Sequence, residues 1–254
     1  MSVETRPTRR GVRGRLLDLM FVRGRVREVR RAEGRGRWIG IRIGDVPSLD
    51  WTPGQQVRVH VADITTTRTW LSGAVRHALR TYSVWDYDAS AAELELYVLD
   101  HEGDGPGARW ARALEPGQAV VFGKPEGRFT LRPAAYHLFV GEETASVPFG
   151  AMLRAARDPV HGVIEVARPG DRLPLPEAER LTWRYRGDAS AASSASLVAA
   201  VRGLELPAEP GIAYVAGEAR TVQSVRAHLV DERGWPRRSV LVKPFWTPGK
   251  RGME

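Results

Sequence analysis

The stretch Arg80-Thr81-Tyr82-Ser83-Val84 belongs to a segment typical of a β-strand and follows a polar loop. Its three functional side chains suggest a role in ligand binding. Arginine offers a planar guanidinium to phosphate oxygens. Tyrosine offers a flat face to a ring system, and serine is a small hydrogen-bond donor and acceptor. A flavin nucleotide contains a partner for each of these groups. On these residues alone, an ordinary strand with an exposed arginine and a half-buried tyrosine is the simpler interpretation.

The composition limits the classes of protein to which the chain can belong. Its 254 residues suffice for one large or two medium domains, and 43% hydrophobic with 27% charged residues is ordinary for a soluble globular protein. The absence of cysteine excludes disulfides, Cys-ligated zinc, iron–sulfur clusters and thiol catalysis. The six histidines form no close pair with metal-ligand spacing, so we expect no protein-ligated metal.

The net charge of +8 arises at the beginning of the chain. Residues 1–37 contain twelve arginines and four acidic residues, whereas the remainder contains 26 basic and 26 acidic residues. We therefore predict a basic N-terminal arm at 1–19, which either binds an anionic surface or is a solvated tail. Arg9-Arg10 could begin an export signal, but the apolar run at 16–22 is short and interrupted by Asp18. We expect no membrane span, no nucleic-acid partner and a cytoplasmic location.

Residues 20–132 are predicted to form a six-stranded antiparallel β-barrel, because short alternating segments are separated by turn dipeptides such as Pro53-Gly54 and Pro116-Gly117. One helix, predicted at 105–114, interrupts the strands, and Pro106 suits its first turn. The predicted strands are 20–30, 37–43, 55–61, 81–86, 93–99 and 118–122.

Residues 133–254 are predicted to form a parallel α/β domain, because strands and helices alternate after Arg132-Pro133. The predicted strands are 136–140, 160–166, 211–216 and 238–243, and the predicted helices are 143–157, 190–203 and 218–233.

Three further stretches carry chemistry. The first is the Gly-rich segment from His101 to Ala111, which places Gly103, Gly105 and Gly107 at the start of the barrel's helix. The free N–H groups and the helix dipole at this point favour a pyrophosphate. A plain connector, with Trp110 filling the core, is the alternative.

The second consists of two strand–Gly–Glu–helix junctions, Gly141-Glu142-Glu143-Thr144-Ala145 and Gly217-Glu218-Ala219. We expect both at the carboxyl edge of the parallel sheet, where doubly wound sheets bind nucleotides. The glutamates could instead complement helix dipoles. Neither junction has the Gly-x-Gly-x-x-Gly fingerprint, so a standard Rossmann phosphate loop is not predicted.

The third is the tail from Val242 to Lys250, in which Phe245-Trp246 is flanked by Lys243 and Lys250. It could cover a planar ligand or hold an anion, or it could anchor the C-terminus.

The order and spacing of these stretches resemble the siderophore-interacting proteins, a flavoprotein family related to the ferredoxin–NADP reductases. The family's Arg-x-Tyr-Thr/Ser motif is similar to Arg80–Ser83, and its His-Gly-x-Gly-Pro-Ala-x-x-Trp-Ala segment is similar to His101–Ala111. Its Gly-Asp-Glu-Thr-Ala and Ala-Gly-Glu-Ala junctions resemble Val140–Ala145 and Ala216–Ala219. Its Tyr-Trp-Arg-x-Gly tail is approximated by Phe245–Gly249, with Thr247 in place of the arginine.

The resemblance implies FAD on the barrel, NAD(P)H or a ferredoxin as reductant against the α/β domain, and an iron(III)–siderophore as substrate. Lys243 or Lys250 could replace the missing arginine as a contact to an anionic chelate. The implied reductant side comprises Gly141, Glu142, Glu143, Gly217 and Glu218. The implied flavin contacts are Arg80, Thr81, Tyr82, Ser83, His101, Gly103, Gly105, Pro106, Gly107, Trp110, Thr144, Ala145 and Trp246.

The implied reaction is electron transfer from NAD(P)H through the flavin to Fe(III), with release of Fe(II), and it needs no catalytic side chain because the cofactor carries the chemistry. Two alternatives stay open. The first is an NAD(P)H-dependent flavin reductase with a non-iron small-molecule acceptor in a biosynthetic pathway. The second is a non-enzymatic protein that binds its partner through the basic arm.

Overall fold

A computed structural model describes residues 21–44, 48–61, 79–100, 103 and 105–250. The predicted arm at 1–19 and the candidate residue His101 lie outside the described residues. Across the described part of the chain, no helix is both long and apolar enough to cross a membrane.

The described N-terminal strands form a closed antiparallel barrel in the order β1-β2-β5-β4-β3-β6, which confirms the predicted barrel. Alternating apolar residues fill its interior: Val57, Val59, Leu94 and Leu96 are fully buried. The strands are β1 (Phe21–Arg31), β2 (Gly36–Ile43), β3 (Gln56–His60), β4 (Leu79–Asp88), β5 (Glu93–Leu99) and β6 (Ala119–Gly123), with helix α1 (Pro106–Ala113) between β5 and β6.

The second half is a five-stranded parallel sheet in the order β11-β10-β7-β8-β9, with helices α2, α3 and α4, as expected for an α/β domain. Its central strand β7 is buried at every residue. The strands are β7 (His137–Glu142), β8 (Val160–Val166), β9 (Leu181–Tyr185), β10 (Ile212–Glu218) and β11 (Val240–Trp246). The helices are α2 (Ser146–Ala155), α3 (Ala195–Arg202) and α4 (Ala219–Ala227). Short 3₁₀ turns lie at Glu143–Ala145, Pro169–Asp171, Ala178–Arg180 and Arg237–Ser239, and a π-helical turn at His228–Glu232.

The structure adds one strand that was not predicted and corrects the bounds of one helix and one strand. Strand β9 was not predicted, because it is an edge strand with a half-polar, mostly exposed sequence. The helix predicted at 190–203 begins only at Ala195, since the Ser194 side chain accepts a hydrogen bond from the backbone N–H of Leu197 at its first turn. The last strand extends to Trp246, so Phe245-Trp246 belongs to the sheet rather than to a tail beyond it.

The two halves meet through aromatic side chains on the outside of the barrel. Trp85 contacts Trp38 edge to face, with 5.0 Å between ring centroids. A Cβ added at Gly150 of α2 would lie 2.3 Å from the Trp85 ring, so the helix packs directly on that ring. The Arg154 guanidinium, also on α2, lies 4.6 Å from the Trp85 ring centroid. Strand β4 of the barrel is therefore held against helix α2 of the second half.

Candidate flavin site

The first turn of α1 lies against the side chains of Arg80 and Tyr82. A Cβ added at Gly107 would be 2.7 Å from the Tyr82 hydroxyl and 3.2 Å from Arg80 Cγ. Gly105 caps the helix through its backbone, Pro106 occupies the first position, and no side chain of the described residues caps the first turn. The N–H groups of this turn and the side chain of Arg80 therefore lie close together, an arrangement that suits a diphosphate.

Trp110 holds the ring of Tyr82 in place. The two rings stack with 5.5 Å between centroids and 28° between planes. Burial raises the pKa of Tyr82, and the positive charge of Arg80 only partly opposes this shift. Tyr82 is thus a neutral hydrogen-bonding group with an apolar ring, as contact with a flavin requires.

The strand alternation separates the motif into two faces. Arg80 and Tyr82 share one face of β4, and Thr81 and Ser83 share the other. Arg80 also donates a hydrogen bond of 2.6 Å from Nη1 to the carbonyl of Leu79. Of the predicted flavin contacts, the structure brings together Arg80, Tyr82, Gly107 and Trp110. That Thr81 and Ser83, on the other face, also contact the flavin stays a prediction.

A second cluster forms at the carboxyl edge of the sheet, around Glu142. Its carboxylate accepts hydrogen bonds from the Thr144 backbone N–H at 2.9 Å, from the Thr144 hydroxyl, and from Trp246 Nε1 at 2.9 Å. A Cβ added at Gly217, where φ is +126°, would lie 2.7 Å from Glu142 Oε1. The ends of β7, β10 and β11 thus meet at one carboxylate.

Glu142 is almost fully buried, and this burial, together with the charge of Glu143, raises its pKa to about 7. The hydrogen bonds from Thr144 and Trp246 act in the opposite direction. Glu142 is therefore a carboxyl group that can carry a proton near neutral pH.

The other two predicted glutamates have structural partners. Glu143 forms a buried ion pair with Arg186 and a second one, at 2.9 Å, with Arg35 of the barrel. Glu218 accepts hydrogen bonds from the backbone N–H groups of Thr221, at 2.9 Å, and Ser193, at 3.0 Å. Burial alone would raise the pKa of Glu218, but these N–H donors outweigh it and lower the pKa. Glu218 therefore caps the first turn of α4, and its place on the reductant side stays a prediction.

Lys243 is one of the two predicted contacts to an anionic substrate. Its side chain lies between two aromatic rings. Its ammonium group is 5.7 Å from the ring centroid of Phe129 and 5.6 Å from that of Phe245, and it has no hydrogen-bond partner among the described residues. Burial lowers the pKa of Lys243 to about 8, against a smaller opposing effect of Glu126. Lys250, the other predicted contact, lies in the last described turn, where its backbone N–H donates to Thr247.

Sequence reasoning missed Arg35 and Arg186, which hold Glu143, and the buried contact between Glu165 and Ser194, whose hydroxyl donates to the carboxylate at 2.7 Å. These partners are distant in sequence, so no local pattern signals them. Among the described residues, no group of three histidine, aspartate or glutamate side chains is placed to hold a metal ion.

Comparisons with known proteins agree with this arrangement. Residues 51–129 match the family described as the siderophore-interacting FAD-binding domain, and residues 134–249 match the family described as siderophore-interacting protein. An uncharacterised protein of Mycobacterium tuberculosis is 31% identical over 195 residues, covering 71% of this chain and 69% of the relative. The ferric vibriobactin reductase ViuB of Vibrio cholerae is 29% identical over 178 residues, covering 67% of this chain and 65% of the relative.

Solved structures share the fold. The siderophore-interacting protein SipS of Aeromonas hydrophila gives a TM-score of 0.77 at 21% identity, over 91% of this chain and 93% of that one. Phthalate dioxygenase reductase gives a TM-score of 0.67 at 16% identity, over 91% of this chain and 70% of that one. The predicted barrel followed by an α/β domain is thus the ferredoxin reductase-like fold.

Proposed function

This chain belongs to the siderophore-interacting protein family, and from that premise we propose that it is an FAD-dependent reductase that passes electrons from NAD(P)H to iron(III)–siderophore complexes. The observation that carries the proposal is the contact of Arg80 and Tyr82 with the first turn of α1, within the segment that matches the FAD-binding domain. The name of the relative ViuB, a ferric vibriobactin reductase, supports an iron chelate as the acceptor.

The residues have distinct roles in this proposal. Arg80 and the N–H groups after Gly105 hold the diphosphate, and Tyr82, fixed by Trp110, orients the ring system. When bound, FAD accepts two electrons as a hydride and gives them up singly, which side chains cannot do. Trp246 and Thr144, both hydrogen-bonded to Glu142, form the wall on the reductant side.

Lys243 is the proposed contact to the substrate. A ferric chelate with a negative net charge favours a nearby ammonium group, and the apolar surroundings of Lys243 strengthen such an attraction. Hard oxygen donors bind Fe(III) more strongly than Fe(II), so reduction weakens the complex and frees the metal.

The test is the visible spectrum of the purified protein, before and after anaerobic NADPH, followed by a ferric chelate and ferrozine. We expect a yellow protein that is bleached by NADPH and then yields ferrozine-trapped Fe(II). Bleaching without trapped Fe(II) would favour a flavin reductase with another acceptor, and a flavin that stays oxidised would favour a ferredoxin as reductant. A colourless protein that binds no added FAD would overturn the proposal.

The companion variant is Arg80→Ala, which we expect to retain less FAD after purification. Arg42→Ala is the matched control, because Arg42 is an exposed arginine of strand β2 that pairs with Glu93. An Arg80→Ala protein with normal flavin content would remove Arg80 from the phosphate site.

A further inference from the structure

A cavity of about 460 Å³ lies beside the β1–β2 turn, at a place that the flavin site does not use. It is bounded by the turn itself, the end of β5 and the C-terminal part of α1. Arg80, Tyr82 and Gly107 are not part of its wall. The lining residues are Arg31, Ala32, Gly34, Arg35, Gly36, Arg37, Asp100 and Arg112.

The lining carries more positive than negative charge, with four arginines and one aspartate. The Asp100 carboxylate accepts hydrogen bonds from two of the arginines, from Arg112 at 2.8 and 2.9 Å and from Arg37 at 3.4 Å. The Arg112 guanidinium, and to a smaller extent that of Arg37, lowers the pKa of Asp100. Asp100 is therefore fully ionised near neutral pH, and its single negative charge does not balance the four arginines. An excess of positive charge remains in the cavity wall.

The excess of positive charge is energetically unfavourable at Arg31 and Arg37. They are directly opposite each other across the β1–β2 pair, an arrangement that is unfavourable for like charges. Arg31 forms no ion pair with a carboxylate of the described residues, whereas Arg37 is only 15% exposed and its Nε is buried without an acceptor. A bound anion would separate the two charges and supply the missing acceptor.

The cavity adjoins the carboxyl edge of the parallel sheet. Arg35 extends from the turn to Glu143 at 2.9 Å and to Asp171 at 3.5 Å, and a Cβ added at Gly34 would lie 2.4 Å from the carbonyl of Gly170. The turn therefore packs against the loop that follows β8. In doubly wound sheets a nucleotide lies along this edge.

We propose that the arginine cavity binds a phosphomonoester dianion, and that in the working protein this is the 2′-phosphate of NADPH. Guanidinium groups bind a phosphomonoester through paired N–H···O bonds, which a ribose hydroxyl cannot replace. The identity of the nucleotide rests on the proposed function; the preference of the cavity for a phosphate does not.

The test is isothermal titration of the purified flavoprotein with 2′,5′-ADP, and with NAD+, which has no phosphomonoester, for comparison. We expect 2′,5′-ADP to bind at least ~10-fold more tightly, as one charge-assisted phosphate contact provides. Arg31→Gln and Arg37→Gln should each weaken the binding of 2′,5′-ADP ~10-fold and leave that of NAD+ unchanged. Arg31 is exposed, so Arg31→Gln keeps the test valid even if loss of Arg37 disturbs folding.

Arg42→Gln is the control, since it removes an exposed arginine from the same strand as Arg37 without touching the cavity. Equal affinities for the two nucleotides, or equal losses in Arg42→Gln and Arg31→Gln, would overturn the inference. So would loss of FAD from Arg31→Gln with 2′,5′-ADP binding intact, because the cavity would then belong to the flavin. A protein that binds 2′,5′-ADP as expected but reduces no chelate would contradict only the proposed function.

Discussion

Gly107 determines how closely helix α1 approaches strand β4. Any side chain there would press on the Tyr82 hydroxyl, 2.7 Å from the added Cβ, and on Arg80. We expect Gly107→Ala to weaken FAD binding by roughly 10-fold, the equivalent of one displaced charge-assisted hydrogen bond. The affinity is measured by titrating the apoprotein with FAD and following the quenching of the flavin fluorescence. Gly105→Ala is the control: its added Cβ meets no atom of the described residues within 4 Å and its φ is −68°, so both variants binding FAD equally would refute the steric argument.

Glu142 makes the stability of the protein depend on pH. Its pKa is about 7 in the folded protein against 4.5 for an ordinary glutamate, so the folded state binds the extra proton. The stabilisation is fully present below pH 4.5 and is lost as the pH rises through 7, with a magnitude of about 3 kcal/mol for such a shift. Lys243, with a pKa lowered to about 8, titrates mainly above this window. Burial lowers the pKa of His60 and His137, so these histidines oppose the slope that Glu142 causes.

Replacement of Glu142 by glutamine should remove this pH dependence. In urea unfolding, the free energy by which the wild type exceeds Glu142→Gln is expected to be larger at pH 5 than at pH 7.5, and this difference cancels the contributions of the histidines common to both proteins. A difference that does not change with pH would show that Glu142 does not cause the pH dependence.

At the scale of elements, helix α3 depends on the side chain of Ser194. The hydroxyl oxygen accepts from the Leu197 N–H at 3.1 Å and donates to Glu165 at 2.7 Å, while the other Glu165 oxygen has no hydrogen-bond partner in the described part of the chain. Ser194→Ala should destabilise the protein by roughly 2–4 kcal/mol, because it removes a helix cap and leaves a buried carboxylate without its donor. Chemical denaturation measures the change. Ser196→Ala, at an exposed position of the same helix, should be nearly neutral, and equal effects at both serines would contradict the capping role.

The elements also show what the sequence can and cannot predict. Strands β3 and β7 were predictable because their apolar residues either alternate or run continuously between turn residues. Edge strand β9 was not, because only Leu181 of its five residues is fully buried and the rest has no periodic apolar pattern. The start of α3 was placed too early, since the Ala- and Ser-rich run before it carries little positional information and the cap at Ser194 sets the boundary.

At the scale of the whole molecule, the candidate site could be predicted in part. Arg80, Tyr82, Gly107 and Trp110 come from two local motifs on the same small barrel, so their proximity follows once the barrel is recognised. The contacts that join barrel and sheet could not be predicted. Arg35 and Glu143, for example, are 108 residues apart, and no local sequence pattern indicates that they pair. Tertiary packing alone brings them together.

Trp85 is the side chain on which the junction of barrel and sheet most depends. It is 6% exposed, packs on Gly150 of α2, and carries the Arg154 guanidinium on its ring, although it belongs to the same strand as Tyr82. Trp85→Ala should cost about 3–5 kcal/mol, as large-to-small changes of a buried tryptophan do. It should also uncouple the two halves, because the remaining contacts include an ion pair of the half-exposed Arg35, and such pairs contribute little.

Two probes separate these effects. FAD release, followed by visible absorbance, reports on the barrel, and far-UV circular dichroism reports on the whole chain. We expect coincident transitions in the wild type and separate midpoints in Trp85→Ala. Trp51→Ala is the matched control, because Trp51 packs on the barrel cluster alone and its loss should lower stability without separating the transitions. If the Trp85→Ala transitions coincide, the junction is maintained by its other contacts, such as those of Phe129 with Phe149 and Tyr214, and does not depend on Trp85.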